Sequence, residues 1–464
     1  MIVHPRDGKS WLERLWRSIA DRGRRFASIP AATLDPLQRA KMLASSLLSE
    51  RGEASGAAVA RELLKVLATL SPQQRAEFLV YLAEGFQADE GKLAAAARAY
   101  LAGPSQTTAA KLAECAEPPR QELLRRMNMA EGGTRALIKL REDIPALLPQ
   151  FPVLSALDHD LRHLFISWFN RGFLELRQID WQTPAATLEK LIAYEAVHEI
   201  QGWDDLRRRL APDRRCFAFF HPALPGEPLI FVQVALVDGL SSSVTALLDR
   251  ETDVAAQERR AALANTAIFY SISNCQDGLR GISFGNFLIK QVVEILRADS
   301  PGITCFATLS PVPGYRKWVE RQLGADSLAD LGLAPEERAA LVESAGMSQA
   351  AEIPPALAPI LMRLAARYLT ASPGDKRARI DSVARFHLGN GARLERINWM
   401  GNPGERGMRE SWGVMVNYLY DPGMIEANHE GFVRDGVVAR SAEVEALLAP
   451  AEQEPRHKKK QKVK

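Results

Sequence analysis

The sequence predicts an all-α N-terminal domain followed by a mixed α/β domain. Apolar residues recur at helical spacing through residues 34–178, strand-like apolar runs appear only later, and one such run enters a glycine-bearing loop. A chain of 464 residues is also long for one hydrophobic core. We therefore expect a helical domain at 1–178, an α/β domain at 179–450 and a basic, disordered tail at 451–464.

The helical half is indicated by repeated apolar spacing and by helix-capping residues. Ala57–Leu70 carries apolar side chains every three or four residues, as one buried helix face requires. Ser71 and Pro72 then suit the N-cap and the first turn of another helix. Further helices are expected at Glu90–Leu101, Gln121–Asn128, Thr134–Leu140 and Leu154–Leu176.

Strand signals mark the second half. A Pro-Gly-Glu-Pro turn lies between two apolar runs, Cys216–His221 and Pro228–Val237, which predicts an antiparallel pair. Helices are expected on either side of this region, at Ala185–Val197 and Pro335–Thr370. Three later strands are predicted, with Asn390-Gly391 as a hairpin turn between the first two: Ser382–Leu388, Arg393–Trp399 and Gly413–Tyr420.

The segment Thr266–Trp318 is expected to form a strand, a glycine-bearing loop, a helix and a second strand. Backbone N–H groups and the helix dipole at such a loop attract anions. Arg280 adds a cation to the loop Gln276–Asn286, and a pantetheine-pyrophosphate ligand would suit it. The loop matches neither the GxGxxG nor the Walker pattern. A simple connection without a ligand is therefore the alternative.

Ser310 is a candidate site residue because it directly follows the second strand of that segment. Pro311 and Pro313 restrict the backbone after it and give its hydroxyl a fixed direction. Ligands of α/β sheets bind beyond the carboxyl ends of the strands. A purely structural turn is the alternative, and no GxSxG motif indicates an esterase nucleophile.

His387 lies near the end of the predicted strand Ser382–Leu388, among apolar neighbours. A hydrogen-bonded core histidine and a site residue are both compatible with that pattern. Tyr418 and Tyr420 alternate onto one face of the last strand, where they either fill the core or present a hydroxyl donor.

Composition excludes several functional classes. The net charge of +3 comes from residues 456–464, which hold six Lys or Arg, and the rest of the chain has 53 basic against 56 acidic residues. Nucleic-acid binding by the body of the protein is therefore not expected. Four cysteines without a CxxC pair indicate neither a zinc site nor a disulfide framework. No apolar run approaches the roughly 18 residues that cross a bilayer, so no membrane partner is expected.

Short segments in order along the second half resemble the malonyl-CoA decarboxylase family. The helical run before them also suits that family. The segments are Trp181-Gln182-Thr183-Pro184, Glu195-Ala196-Val197-His198, Phe269-Tyr270-Ser271-Ile272-Ser273, Phe287-Leu288-Ile289-Lys290, Leu309-Ser310-Pro311-Val312-Pro313-Gly314, Arg396-Ile397-Asn398-Trp399-Met400 and Met415-Val416-Asn417-Tyr418.

The resemblance implies a catalytic domain of the GNAT acetyltransferase fold with a mixed, mostly antiparallel sheet. It implies Ser310 and His387 as catalytic residues, with Tyr420 in support. An acid that supports the histidine in animal members aligns with Ser283, so another group must orient His387 here. The coenzyme A pyrophosphate would contact the loop residues Arg280, Gly281, Ile282, Ser283, Phe284, Gly285 and Asn286.

The same resemblance implies malonyl-CoA as the substrate and decarboxylation to acetyl-CoA and CO2. No separate cofactor is expected, because coenzyme A is part of the substrate and the thioester itself delocalises the charge. The N-terminal helices would form a homo-oligomer, a dimer or a tetramer. Lys462-Val463-Lys464 is not a peroxisomal Ser-Lys-Leu signal, which favours a cytoplasmic location. An acyl-CoA-dependent N-acyltransferase and a non-enzymatic assembly protein remain as alternatives.

Overall fold

A computed structural model of the chain describes residues 11–27, 29–31, 33–49, 52–249, 251–282, 288–324, 333–344, 346–371 and 381–449. The predicted tail at 451–464 lies outside them. The described part of the N-terminal half is helical up to residue 168, as predicted. Its helices are α1 (Trp11–Gly23), α2 (Pro36–Ser49), α3 (Glu53–Leu67), α4 (Pro72–Gly85), α5 (Glu90–Ala102), α6 (Gln106–Ala116), α7 (Pro119–Asn128), α8 (Gly133–Leu147) and α9 (Leu154–Trp168).

The predicted cap at Ser71 is confirmed and shows why α4 begins there. The Ser71 hydroxyl accepts a hydrogen bond from the Gln74 N–H at 3.2 Å. The Gln74 side chain accepts one from the Ser71 N–H at 3.1 Å, which completes a reciprocal capping box. Phe78, Leu79 and Leu82 of this helix are fully buried, so the capped helix contributes its apolar face to the core.

Strands and helices alternate after α9. The strands are β1 (Glu175–Ile179), β2 (Arg214–Phe220), β3 (Pro228–Val237), β4 (Thr266–Asn274), β5 (Cys305–Thr308), β6 (Ser310–Pro311), β7 (Arg393–Asn398) and β8 (Met415–Leu419). The helices are α10 (Ala185–Tyr194), α11 (Trp203–Arg209), α12 (Val244–Leu247), α13 (Val254–Leu263), α14 (Leu288–Asp299), α15 (Tyr315–Gly324), α16 (Pro335–Ser344), α17 (Ala358–Thr370), α18 (Ser382–Gly389), α19 (Glu405–Ser411), α20 (Ile425–Asp435) and α21 (Ala442–Leu448).

The strands form one sheet in the order β1-β2-β3-β4-β5-β8-β6, with β7 also paired to β8. Strands β4 and β5 are parallel, whereas β5, β6 and β7 each run antiparallel to β8. Hydrogen bonds from Asn265 to Val237 and from Cys275 to Leu229 show that β3 and β4 are antiparallel as well. The predicted helical region followed by a mixed, mostly antiparallel sheet is therefore confirmed.

Packing divides the chain into two compact units. The first contains Met1–Ile200, Phe217–Phe231 and Ser273–Gly285, and the second contains Gln201–Cys216, Val232–Ile272 and Asn286–Lys464. The domain boundary at residue 178 stays a prediction. The core of the second unit includes Ala235, Ile268, Tyr270, Ala307, Leu309 and Met415. Ala307 and Leu309 flank Thr308 at the end of β5, so this core fixes the strand that leads to Ser310.

Three sequence predictions of secondary structure are wrong. The segment Ser382–Leu388 is the helix α18 rather than a strand, because the Asp381 carboxylate accepts hydrogen bonds from the first-turn N–H groups. The expected hairpin at Asn390-Gly391 is instead the turn that ends this helix. The helix predicted to reach Leu176 ends at Trp168, and its last residues belong to β1.

Across the residues described here, no helix is both long and apolar enough to cross a membrane.

Candidate active site

Ser310 opens the two-residue strand β6, immediately beyond β5. It pairs with Val416 of β8, and the next residue, Pro311, pairs with Met415. Only 5% of Ser310 is exposed to solvent. The strand pairing and the restricted proline backbone together hold its side chain in one place.

His387 lies in the last turn of α18 and contacts both other residues predicted for the site. Its Nε2 atom is 3.0 Å from Ser310 Oγ. Its Nδ1 atom is 2.8 Å from Tyr420 Oη. His387 and Tyr420 are both buried, at 3% and 2% exposure. The structure therefore brings Ser310, His387 and Tyr420 into one hydrogen-bonded cluster.

Thr308 is a member of this cluster that the sequence analysis missed. Its Oγ1 atom accepts a hydrogen bond from Ser310 Oγ at 2.9 Å and another from the Tyr418 N–H at 3.2 Å. Thr308 is two residues before Ser310, and the period of two in extended chain places both on one face. That spacing was the signal that could have identified it.

The hydrogen-bond directions assign a tautomer to His387. Ser310 has one hydroxyl proton and donates it to Thr308, so its oxygen is left to accept from His387 Nε2–H. Nδ1 then carries the lone pair and accepts from the Tyr420 hydroxyl. Tyr420, expected from the resemblance to support the site, is therefore the group that contacts Nδ1 of His387. Ser283, which aligns with the acid of animal members, lies outside the described residues.

Burial sets the charge of the cluster. It lowers the pKa of His387 to about 3, so the imidazole is neutral at neutral pH. It raises the pKa of Tyr420 well above the usual value, so its hydroxyl keeps its proton. The Tyr418 ring stacks on the imidazole with centroids 4.7 Å apart and an angle of 23° between the planes. The cluster can therefore donate hydrogen bonds without carrying a net charge.

Asn417 connects the strands beneath the cluster. Its amide nitrogen donates to the Thr308 carbonyl at 2.8 Å. Its amide oxygen accepts from Asn398 Nδ2 at 2.8 Å and from Arg396 Nε at 3.1 Å. Strands β5, β7 and β8 are thereby cross-linked through one buried side chain, which limits movement of Thr308.

The predicted anion loop is described as far as Ile282, and these described residues belong to the first unit. Arg280 is exposed and pairs with Asp277 at 2.8 Å. Gly281 has a positive φ of 78°, and a Cβ added there would lie 3.7 Å from the guanidinium of Arg162. Arg162 is a cation that the sequence analysis did not associate with the loop. The remaining predicted loop residues lie outside the described ranges: Ser283, Phe284, Gly285 and Asn286.

Comparisons with known proteins agree with this organisation. The family model of the malonyl-CoA decarboxylase C-terminal domain matches residues 172–459, and that of the N-terminal domain matches residues 86–169. The mitochondrial malonyl-CoA decarboxylase of Anser anser anser is 36% identical over an alignment 377 residues long, which covers 75% of this chain and 74% of that protein.

Two crystal structures of bacterial relatives also match over most of their length. A malonyl-CoA decarboxylase from Rhodopseudomonas palustris is 48% identical with a TM-score of 0.82. One from Agrobacterium vitis is 50% identical with a TM-score of 0.81. Each match covers 88% of this chain and 99% of the other. The resemblance seen in the sequence is thus confirmed, and the chain belongs to the malonyl-CoA decarboxylase family.

Proposed function

We propose that this protein converts malonyl-CoA to acetyl-CoA and CO2. Family membership supports the substrate, because the related proteins carry that activity in their names. The single observation that carries the chemistry is the buried, neutral hydrogen-bonded cluster of Ser310, His387 and Tyr420. Such a cluster suits a reaction whose charge develops on a carbonyl oxygen.

The reaction breaks the bond between the carboxylate carbon and the α-carbon of the malonyl group. The electron pair of that bond moves into the thioester, whose oxygen then carries the charge of an enolate. CO2 leaves, and one proton added to the α-carbon gives acetyl-CoA. The protein must therefore stabilise an oxyanion and deliver one proton.

Ser310 and His387 are assigned to these two tasks. When the thioester oxygen is present, the Ser310 hydroxyl turns from Thr308 and donates to it. The Nε2–H of His387 points at the same serine oxygen, so Nε2 can replace the proton that passes from Ser310 to the α-carbon. Nδ1 then takes up the proton of Tyr420, and solvent returns a proton to Tyr420, so every group ends neutral. A neutral imidazole is a suitable donor to an enolate, as in other enzymes that use this chemistry.

The surroundings of the cluster favour loss of the carboxylate charge. The rings of Tyr418 and Phe269 lie beside His387 and Tyr420, with centroid distances of 4.7 Å and 6.4 Å. An anion is poorly solvated among aromatic rings, so departure of CO2 and dispersal of the charge into the thioester lower the free energy.

The loop Arg280–Asn286 is proposed to hold the coenzyme A pyrophosphate. Support comes from its described part, where Gly281 leaves the backbone accessible and Arg162 lies nearby. Arg280 can exchange its exposed partner Asp277 for a phosphate at little cost, because exposed ion pairs are weak.

The N-terminal helices are proposed to form a homo-oligomer. Helix α6 has no buried side chain, and Leu101 on α5 is 77% exposed. Light scattering on the purified chain would give the mass of the assembly, and a monomer at all concentrations would contradict this part of the proposal.

The activity is tested with purified protein and malonyl-CoA in buffer containing EDTA. Release of CO2 and acetyl-CoA in equal amounts is expected, because no metal is required. Absence of turnover would refute the proposal. Acyl transfer from acetyl-CoA to an amine without decarboxylation would instead identify the N-acyltransferase.

Variants at the cluster test the assignment of residues. Ser310→Ala and His387→Ala should each lower kcat by about 10²–10³, the usual loss for one oxyanion donor. Ser411→Ala is the matched control, since it also removes a buried serine hydroxyl of the second unit, one that donates to Gly407 and Val414. Folded Ser310 and His387 variants with full activity would show that the chemistry lies elsewhere.

A further inference from the structure

Asp381 is a buried carboxylate, 4% exposed, that lies directly before the helix carrying His387. Its Oδ1 atom accepts from the Val383 and Ala384 N–H groups at 2.8 and 3.2 Å. Its Oδ2 atom accepts from the Gly314 N–H and from the Tyr368 hydroxyl, both at 3.3 Å. The two oxygens therefore serve different parts of the chain.

We propose that Asp381 is a positioning residue, which holds the helix of His387 against the loop of Ser310. The proposal rests on the proposed function, since it concerns the alignment of those two residues. An ordinary helix cap needs only one side-chain oxygen. Here the second oxygen reaches a backbone N–H only four residues beyond Ser310 and a tyrosine on α17.

The loop side of this connection is stiff. Pro311 and Pro313 fix φ between Ser310 and Gly314, so a shift of the Gly314 N–H is passed to the serine. The approach is also close, because a Cβ at Gly314 would lie 2.5 Å from the Tyr368 hydroxyl oxygen. Any larger residue at position 314 would therefore clash with the Tyr368 hydroxyl.

The helix side is equally direct. His387 lies six positions after Asp381, and at about 1.5 Å per residue this is roughly 9 Å along one continuous helix. Holding the first-turn N–H groups therefore fixes the helix axis and its rotation. Both determine where Nε2 meets Ser310.

Helix α17 provides the support for both sides. Tyr368 on this helix donates to Asp381, and the Tyr315 hydroxyl donates to the Leu361 carbonyl of the same helix at 2.6 Å. Tyr315 directly follows Gly314. The loop after Ser310 is thus joined to α17 once through its own side chain and once through Asp381.

The ligands of the carboxylate are neutral. No cation forms an ion pair with Asp381 within the ranges that the structure describes. Burial raises the pKa of this carboxyl, and the backbone N–H groups oppose the rise. Each carboxylate oxygen of Asp381 accepts its own hydrogen bonds, so replacing one oxygen by an NH2 group of the same size tests the role of that oxygen.

The test compares Asp381→Asn with Asp253→Asn in the full-length protein. An asparagine at 381 keeps an oxygen for the helix cap but turns an NH2 group toward the Gly314 N–H. Asp253 caps α13 through the Ala255 N–H and is exposed, so its variant is the matched control. We expect Asp381→Asn to lower kcat about 10- to 100-fold, the usual range for a small misplacement of catalytic groups, with KM changed less than about threefold.

Hydrogen exchange measured by mass spectrometry gives a second readout that needs no activity. In Asp381→Asn, exchange should become faster in both peptides, the one covering 310–318 and the one covering 381–390. In Asp253→Asn, exchange should be unchanged in both. Unchanged kcat and unchanged exchange in Asp381→Asn would overturn the proposal. An inactive wild type would refute the proposed function, while the exchange data would still decide whether Asp381 joins the two segments.

A milder variant covers the case in which Asp381→Asn does not fold. Tyr368→Phe removes one donor from Oδ2 and leaves the other three hydrogen bonds of the carboxylate in place. A kcat about threefold lower with faster exchange in both peptides would support the proposal. Wild-type values for both measurements would count against it.

Discussion

Two clusters of buried polar side chains in the second unit are stabilised in different ways, one by hydrogen bonds between neutral groups and the other by ion pairs. The site cluster of Ser310, His387, Tyr420 and Thr308 is neutral and joined by hydroxyl and imidazole hydrogen bonds. The arginine cluster surrounds the fully buried Asp213, whose carboxylate meets the guanidinium groups of Arg208, Arg214 and Arg260 at 2.7 to 3.0 Å.

Burial has a different result in each cluster. At Asp213 it favours a higher pKa, but Arg208, Arg214 and Arg260 outweigh it and lower the pKa of the carboxyl. At His387 nothing offsets burial, so the pKa falls and the ring stays neutral. The arginine cluster is therefore fixed by its charges, whereas the site cluster can exchange hydrogen bonds without separating an ion pair.

The largest effect is expected in the arginine cluster. Asp213→Asn leaves buried guanidinium groups without their carboxylate and should lower the free energy of unfolding by about 3–5 kcal/mol. Urea denaturation measures it. Asp249→Asn is the control, because Asp249 pairs with the same Arg208 at 3.1 Å but is 47% exposed, and it should cost at most about 1 kcal/mol. Equal losses of unfolding free energy in Asp213→Asn and Asp249→Asn would show that the buried ion pairs do not fix this cluster.

A smaller effect is expected where the site cluster loses one hydroxyl. Tyr420→Phe removes the donor to His387 Nδ1, so the imidazole is no longer held in one orientation and kcat should fall about 30-fold, or about 2 kcal/mol. Tyr270→Phe is the control, because it removes a buried hydroxyl that bonds Gln233 at 2.8 Å elsewhere in the second unit. Steady-state kinetics would show whether only the first change affects turnover.

The smallest effect concerns pH. Because the folded pKa of His387 is about 3, the unfolded chain takes up a proton below about pH 6.5 that the folded chain does not. This contribution to stability is complete above pH 6.5 and is lost as the pH falls toward 3. Between pH 8 and pH 6 it amounts to about 1 kcal/mol. Urea denaturation of wild type and His387→Gln at both pH values should show that the free energy of unfolding falls less in the variant. Equal falls in the two proteins would mean that the imidazole of His387 takes up a proton in the folded protein as readily as in the unfolded chain.

The sequence was sufficient for most elements and for selecting three residues, Ser310, His387 and Tyr420, that the structure brings into contact. Ser310 could be found because prolines follow a strand, and strand alternation placed Tyr418 and Tyr420 on one face. The helix around His387 was predicted as a strand because a short apolar run fits either period. Asp381, the capping residue that decides between them, was overlooked.

Other features depend on tertiary contacts that no local pattern contains. Arg162 approaches Gly281 across more than one hundred residues of sequence. The hydrogen bond between Tyr420 and His387 arises only when α18 and the end of β8 meet. The neutral state of His387 follows from its burial in the folded unit. The spacing of residues in the sequence does not show this burial.

The position of Ser310 has a consequence for how the two partners of His387 are held relative to each other. Strand β7 occupies one side of β8, so β5 and β6 share the other side in one register, with Ala307 opposite Leu419 and Ser310 opposite Val416. Ser310 therefore lies inside the sheet. Tyr420 directly follows β8, so this single strand sets the spacing between the two hydroxyl groups that contact the imidazole.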